Sequence, residues 1–271
     1  TKITEEESEK LRNIEDEMKK EVIGQDHSIE KIASALKRAR VGVRDEKKPM
    51  AGFLFVGTTG VGKTKTAKTL SQVYFGGEEA MIRLDMSEYQ NPDSIDKLIG
   101  TSDGASKGIL TEAVRTKPYT LILLDEIEKA HPEAFNMLLQ IMEEGQLTDA
   151  RGRRVDFSNT IVVMTSNVGA QMIKRRTSMG FATPTDGSTA YSDYDEMRDK
   201  LVERLKRTFR PEFLNRVDNV VVFHALSRED IASIVELELE KVRGRLEESG
   251  LRMRVTEKAK EIGRASCRER V

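Results

Sequence analysis

The 271-residue sequence predicts an α/β fold in which a parallel sheet is sandwiched between helices in three layers, with a small helical domain following it. Three observations carry that expectation. The runs Gly52 to Val56, Leu121 to Leu124 and Ile161 to Met164 are apolar without polar alternation, as strands covered on both faces must be. They alternate with stretches of helical spacing, such as Phe135, Leu138, Leu139 and Met142. Finally, Gly57-Thr58-Thr59-Gly60-Val61-Gly62-Lys63-Thr64 joins the first run to a helix, the strand–loop–helix context of a phosphate-binding loop.

Composition narrows the classes further. The 45 basic and 46 acidic residues leave a net charge of −1, so no global field draws the chain to nucleic acid or to an anionic membrane. No apolar run approaches a membrane span and the N-terminus is acidic, so the chain reads as unexported and cytoplasmic. A single Cys267 excludes an internal disulfide and a cysteine metal cluster.

In chain order, Thr4 to Ser8 opens a charged helix with Leu11, Ile14 and Met18 at helical spacing. Val22 to Asp26 breaks it, and a second helix carries Ile29, Ile32, Ala33, Leu36 and Ala39 on one face. Residues 1–48 thus form a helical preamble and charged linker ahead of a core at 49–224. Within the core, Ala80 to Met86 reads as a strand, and Asn91-Pro92-Asp93 opens a helix ending near Gly100. Thr101 to Gly108 is a small polar loop before a helix from Ile109 to Thr116. His131-Pro132 starts the next helix and Gly145 ends it; His131 is a helix-start residue, since no second ligand lies at metal spacing. Leu147 to Phe157 reads as a hairpin with a basic tip, and Gly180 to Asp193 as a mobile insertion. A helix from Asp195 to Phe209, a last strand from Val217 to Phe223 and a helix capped by Ser227 complete the order, the last placing Ile231, Ile234, Val235, Leu237 and Leu239 on its apolar positions.

The chemistry concentrates at the strand ends. The backbone of Thr58, Thr59, Gly60, Val61 and Gly62 would point N–H groups at a polyphosphate, with the helix N-terminus adding its partial charge. Lys63 would reach the β- and γ-phosphates, and the Thr64 hydroxyl would take one position on Mg²⁺. Asp125 and Glu126 are delivered by the strand before them, Asp125 to hold Mg²⁺ through water and Glu126 to deprotonate the attacking water. Asn167 either caps the turn after its strand, positions that water or senses the γ-phosphate. A glycine-rich turn that binds nothing is the competing reading of the loop.

Taken together, Val22-Ile23-Gly24-Gln25, Gly57 to Thr64, Leu121 to His131, Leu147-Thr148-Asp149, Met164 to Asn167 and Phe209 to Arg216 resemble the AAA+ ATPases. Within them the chain is similar to the second ATPase module of Clp unfoldases of the ClpB and ClpC type, the preamble being nearer ClpC. The resemblance implies ATP and Mg²⁺ as cofactors, adenine contacts from the Val22 and Ile23 backbone, Asn167 as γ-phosphate sensor and Arg216 as a finger reaching a neighbouring subunit. It also implies a hexameric ring that unfolds or translocates protein, with a peptidase partner left open because Gln171 to Gly180 shows no convincing docking loop. An Arg216 that merely pairs with Asp218 or Glu212 is the plainer alternative. Two further readings stand beside this one: a motor or loader on nucleic acid, and a non-catalytic nucleotide-dependent scaffold.

Three departures accompany the resemblance. The loop Thr101 to Gly108, including Ala105, lacks the aromatic of the family's pore loop. Residues 225–262 make only the start of a helical lid, ending before the family's glycine-alanine-arginine sensor. Residues 263–271 no longer match the family and read as a non-native tail.

Overall fold

The computed structural model describes residues 5–40, 45–103, 106–169 and 200–256. The Thr4 cap, Ala105, the stretch 171–180, the insertion at 180–193, the first part of the 195–209 helix and the tail with Cys267 lie outside them. Helices α1 (Glu5–Glu21) and α2 (Asp26–Arg40) precede β1 (Ala51–Val56) and α3 (Lys63–Phe75). Then come β2 (Met81–Asp85), α4 (Ile95–Ile99), α5 (Ile109–Thr116), β3 (Thr120–Asp125) and α6 (Pro132–Glu144). The hairpin β4 (Gln146–Thr148) and β5 (Arg154–Asp156) leads to β6 (Thr160–Ser166). A helical segment at 200–208, α7 (Pro211–Leu214), β7 (Asn219–Val222) and α8 (Arg228–Glu248) follow.

Five strands form one parallel sheet in the order β2-β3-β6-β1-β7. Side chains alternate across a strand, and here both faces are covered, which is why the sequence shows no alternation. Phe53, Phe55, Leu121, Leu123, Ile161 and Val163 pack with Ile14, Met18, Ile29, Ile32 and Leu70 of α1, α2 and α3. Leu54, Val56, Ile122, Leu124, Val162 and Met164 pack on the other side with Leu110, Val114, Leu138 and Ile141 of α5 and α6. The three expected layers follow from these two sets.

Element ends obey local chemistry. His131 caps α6, its Nδ1 accepting from Glu133 N, and Pro132 takes the first helical position. Ser227 and Asp230 close a reciprocal capping box at the start of α8. The helix after Asn91 is shorter than its sequence suggests: a 3-10 turn at Pro92–Ser94 and then five residues, stopped by Gly100 at φ 90°. Along α8 only Ile231 is fully buried, and Ile234, Val235, Leu237 and Leu239 are half-buried. Among the described residues no helix is long and apolar enough to cross a membrane.

The sheet order decides where chemistry can occur. Val56 pairs with Ser166 and Leu124 with Met164, so the carboxyl ends of β1, β3 and β6 lie side by side. Gly57, Asp125 and Asn167 therefore leave the sheet at one edge, where ligands of open α/β sheets bind.

Candidate functional site

The loop between β1 and α3 is shaped by two glycines for opposite reasons. Gly62, at φ 102°, caps α3 in a left-handed conformation that only glycine adopts without strain, and a Cβ there would meet open space. Gly57 lies where β1 passes β7, and a Cβ would come within 2.9 Å of Phe223 Cβ. Helix α3 then starts with Thr66 donating twice to Gly62 O, from its N–H and its hydroxyl. No acidic residue and no side-chain cap occupies its first turn, which leaves the leading N–H groups and the helix dipole to an external anion.

Lys63 is the first residue of α3 and is buried. Its Nζ donates to Gly57 O at 2.9 Å, Thr58 O at 2.7 Å and Asn167 Oδ1 at 2.9 Å. Burial pulls its pKa down from 10.5 to about 8, against the opposing pull of Asp125, Glu128 and Glu126. Thr58 Oγ1 is buried with no hydrogen-bond partner in the same loop. A desolvated ammonium and a buried unpaired hydroxyl are costly in the chain alone, and a polyphosphate answers both.

The acidic pair ends β3. Asp125 accepts from Thr165 Oγ1 at 2.5 Å and, through its second oxygen, from Arg83 Nη2 at 2.8 Å. With each oxygen already holding a donor, this carboxylate is suited to holding a cation through water. Glu126 adopts φ 56° and ψ 51°, the one left-handed non-glycine residue among the described residues. That conformation costs on the order of 1 kcal/mol and turns the side chain out of the strand line. It is held by Glu126 N donating to Thr165 Oγ1 at 3.1 Å, the same hydroxyl that donates to Asp125. The Glu126 carboxylate accepts from Asn167 Nδ2 at 3.3 Å and pairs with Lys129 through its other oxygen.

Asn167 therefore does more than cap a turn. Its Oδ1 faces a group that can only donate and its Nδ2 a group that can only accept, so the chemistry of the neighbours assigns the amide's orientation. Its backbone N–H donates to Glu128 Oε1 at 2.9 Å.

The segment before α2 closes another side. Val22 is buried and Ile23 half-buried beside the lid, and a Cβ on Gly24 would strike Asp230 of α8 at 2.6 Å. Gln25, also buried, donates to Val61 O at 3.1 Å and His224 O at 2.9 Å and accepts from His224 N at 3.1 Å. One amide thus ties the phosphate loop to the hinge between sheet and lid. Burial, and then the neighbouring His27, push the His224 pKa down. Glu21 accepts from both Lys65 of α3 at 3.0 Å and Lys241 of α8 at 2.7 Å.

One expectation changes. Arg216 pairs with Glu143 of α6 at 2.5 Å, not with Asp218, which accepts from Gly52 N at 2.6 Å, nor with Glu212, which pairs with Arg210 at 3.6 Å. It is half-exposed and is not among the groups touching Lys63, Glu126 or Asn167. At the basic tip of the hairpin Arg153 donates to Asp149 at 2.7 Å and to Glu112 at 2.9 Å, while Arg151 and Arg154 are exposed. A cavity of about 590 Å³ beside α2 and β7 contains none of Lys63, Asp125 or Glu126. The site is assigned by its donor set and charge, since a loop of backbone amides is a cradle and not a deep cavity.

Sequence reasoning missed Thr165, Glu128, Arg83, Lys129, Glu21 and the part played by the Gln25 side chain. Only Gln25 carried a signal, as a polar residue directly before a buried helix face.

Residues 48–220 match the AAA domain (Cdc48 subfamily), and residues 226–268 match the C-terminal D2-small domain of ClpB. The second match runs into the stretch at 263–271. The chain is 48% identical over 265 residues to the ATP-dependent Clp protease ATP-binding subunit ClpC of Staphylococcus saprophyticus, Staphylococcus epidermidis and Staphylococcus aureus. That similarity covers 96% of the chain and 32% of each relative, so the chain spans about a third of their length. It is also similar to Hsp104 in a closed-state reconstruction with ATPγS and casein, at TM-score 0.82 and 34% identity over 98% of this chain and 44% of that one. With its phosphate loop, acidic strand end and helical lid all inside these matches, the chain belongs to the AAA+ ATPases, on the branch that contains the Clp and Hsp104 proteins.

Proposed function

We propose that this chain is the ATP-hydrolysing module of a ring-forming protein unfoldase, acting as a hexamer in the cytoplasm on unfolded or tagged proteins. The observation that carries the reading is Asn167, whose one amide touches both Lys63 and Glu126. A group between the phosphate-binding cation and the base can register whether a γ-phosphate is present and align the water that attacks it.

In this reading Lys63 and the N–H groups of residues 58–62 bind the β- and γ-phosphates, and the Val22–Ile23 backbone contacts adenine. Thr64 and, through water, Asp125 would hold Mg²⁺, which when bound supplies charge neutralisation across the phosphate oxygens. Glu126, positioned by Asn167 and Lys129, accepts the proton of the attacking water. Release of the γ-phosphate frees Asn167 and Lys63, and the Gln25 amide passes the change from loop to lid hinge. Arg216 offers a guanidinium that a neighbouring subunit can receive, since its exposed pair with Glu143 is weak.

The test is ATP hydrolysis measured with an unfolded protein and, separately, with DNA at several salt concentrations. Stimulation by the unfolded protein alone is the expected result. Stimulation by DNA that weakens with salt would replace this reading by a nucleic-acid motor, and nucleotide binding without turnover in an assembled ring would replace it by a scaffold.

A further inference from the structure

We propose that Glu128 is a positioning residue that holds the backbone of Asn167 and so sets the angle at which its side chain meets the γ-phosphate; this rests on the nucleotide reading above. Glu128 lies in the 3-10 turn Ile127–Lys129 that follows Glu126. Within that turn Lys129 folds back onto the Glu126 carboxylate, while Glu128 reaches the end of the neighbouring strand, where its Oε1 accepts from Asn167 N at 2.9 Å. Asn167 thus has a separate tether on each of three polar groups: Glu128 on N–H, Lys63 on Oδ1 and Glu126 on Nδ2.

Two of those tethers must loosen when ligand arrives, because a γ-phosphate competes for Lys63 and water competes for Glu126. The Glu128 bond is made to the backbone N–H of Asn167 and not to its side chain, so it can persist while the other two tethers exchange partners. Its cost argues the same way. Glu128 Oε2 is buried with no hydrogen-bond partner, and a half-satisfied carboxylate is a poor stabiliser of a fold. A neutral side chain would serve packing better, so what the carboxylate contributes is the strong acceptor aimed at Asn167.

The experiment uses the 271-residue chain with Glu128→Ala and Glu128→Gln. Calorimetry with ADP and with ATPγS is combined with hydrogen exchange of the Asn167 amide and thermal unfolding without nucleotide. Glu128→Ala should lose the ATPγS-over-ADP preference by roughly 10-fold or more, the scale of one charge-assisted hydrogen bond. Its Asn167 amide should exchange at least roughly 10-fold faster while the unfolding temperature does not fall. Glu128→Gln keeps a neutral, weaker acceptor oxygen and should restore part of both preference and protection. An unchanged preference, an equal loss of both nucleotides, or a Glu128→Gln variant as impaired as Glu128→Ala would each overturn the proposal. Failure of the underlying reading appears elsewhere, in a wild-type chain that binds neither nucleotide.

Discussion

Glu21 Oε2 accepts from Lys241 Nζ at 2.7 Å, joining the last turn of the preamble helix α1 to the lid helix α8. The same oxygen accepts from Lys65, two residues past Lys63, so one carboxylate links preamble, nucleotide-site helix and lid. Hydrogen bonds from Lys241 and then Lys65 hold its carboxyl below the ordinary carboxylate value of 4.5.

Glu21→Gln should therefore lower stability by about 1 kcal/mol, because about a third of each partner is exposed and solvent weakens the pairs. The sign is fixed by the depressed pKa: the contribution is full above pH 4.5 and is lost as pH falls through the native value. Urea unfolding of wild type and variant should differ at pH 7 and converge in acid. Faster amide exchange across α8 in the variant would accompany the loss, and identical exchange would show that the clasp does not hold the lid.

Lys63→Met should abolish the rise in unfolding temperature that ATPγS gives the wild type, since the main cation for the β- and γ-phosphates is gone. Without nucleotide the pH dependence differs. Below about pH 8 the native chain carries a buried charge it disfavours, and between pH 8 and 10.5 the unfolded chain keeps a proton that the native one releases. Wild-type stability relative to Lys63→Met should then rise with pH across that window by on the order of 3 kcal/mol. A flat difference would mean that burial does not disfavour the ammonium.

Glu126→Gln should bind ATPγS as wild type does and hydrolyse ATP at least roughly 100-fold more slowly, since an amide orients water without taking its proton. The left-handed backbone at 126 is held by Thr165, so the substitution should leave the fold intact. Near-normal turnover in steady-state assays would remove Glu126 from the base role.

Arg216→Ala should leave the unfolding temperature within about 1 °C of wild type, because its exposed pair with Glu143 contributes little. In an assembled ring it should bind ATP and lose turnover by roughly 10³-fold or more, the scale of an arginine finger. Mixing Arg216→Ala with Glu126→Gln subunits should restore part of the activity, since each keeps what the other lacks. Mixed rings as inactive as either parent would show that the finger does not act between subunits.

The sequence alone determined what is local. Gly57 to Thr64 between an apolar run and a helix reads as a strand–loop–helix turn of the phosphate-binding pattern in eight contiguous residues, and Leu121 to Glu126 defines a buried strand with an acidic end. Continuous apolar strands also required helices on both faces, because neither side of the sheet could meet water. Tertiary structure decided what depends on strand order. Placing β6 between β3 and β1 brings Asn167 to Lys63 across 104 residues and to Glu128 across 39. Folding likewise carries Gln25 to His224 across 199 residues and Glu21 to Lys241 across 220. No periodicity in the chain encodes such pairs. A polar side chain that serves one distant backbone group looks in sequence like any solvent-facing residue, and only the register of packed strands and helices reveals what it holds.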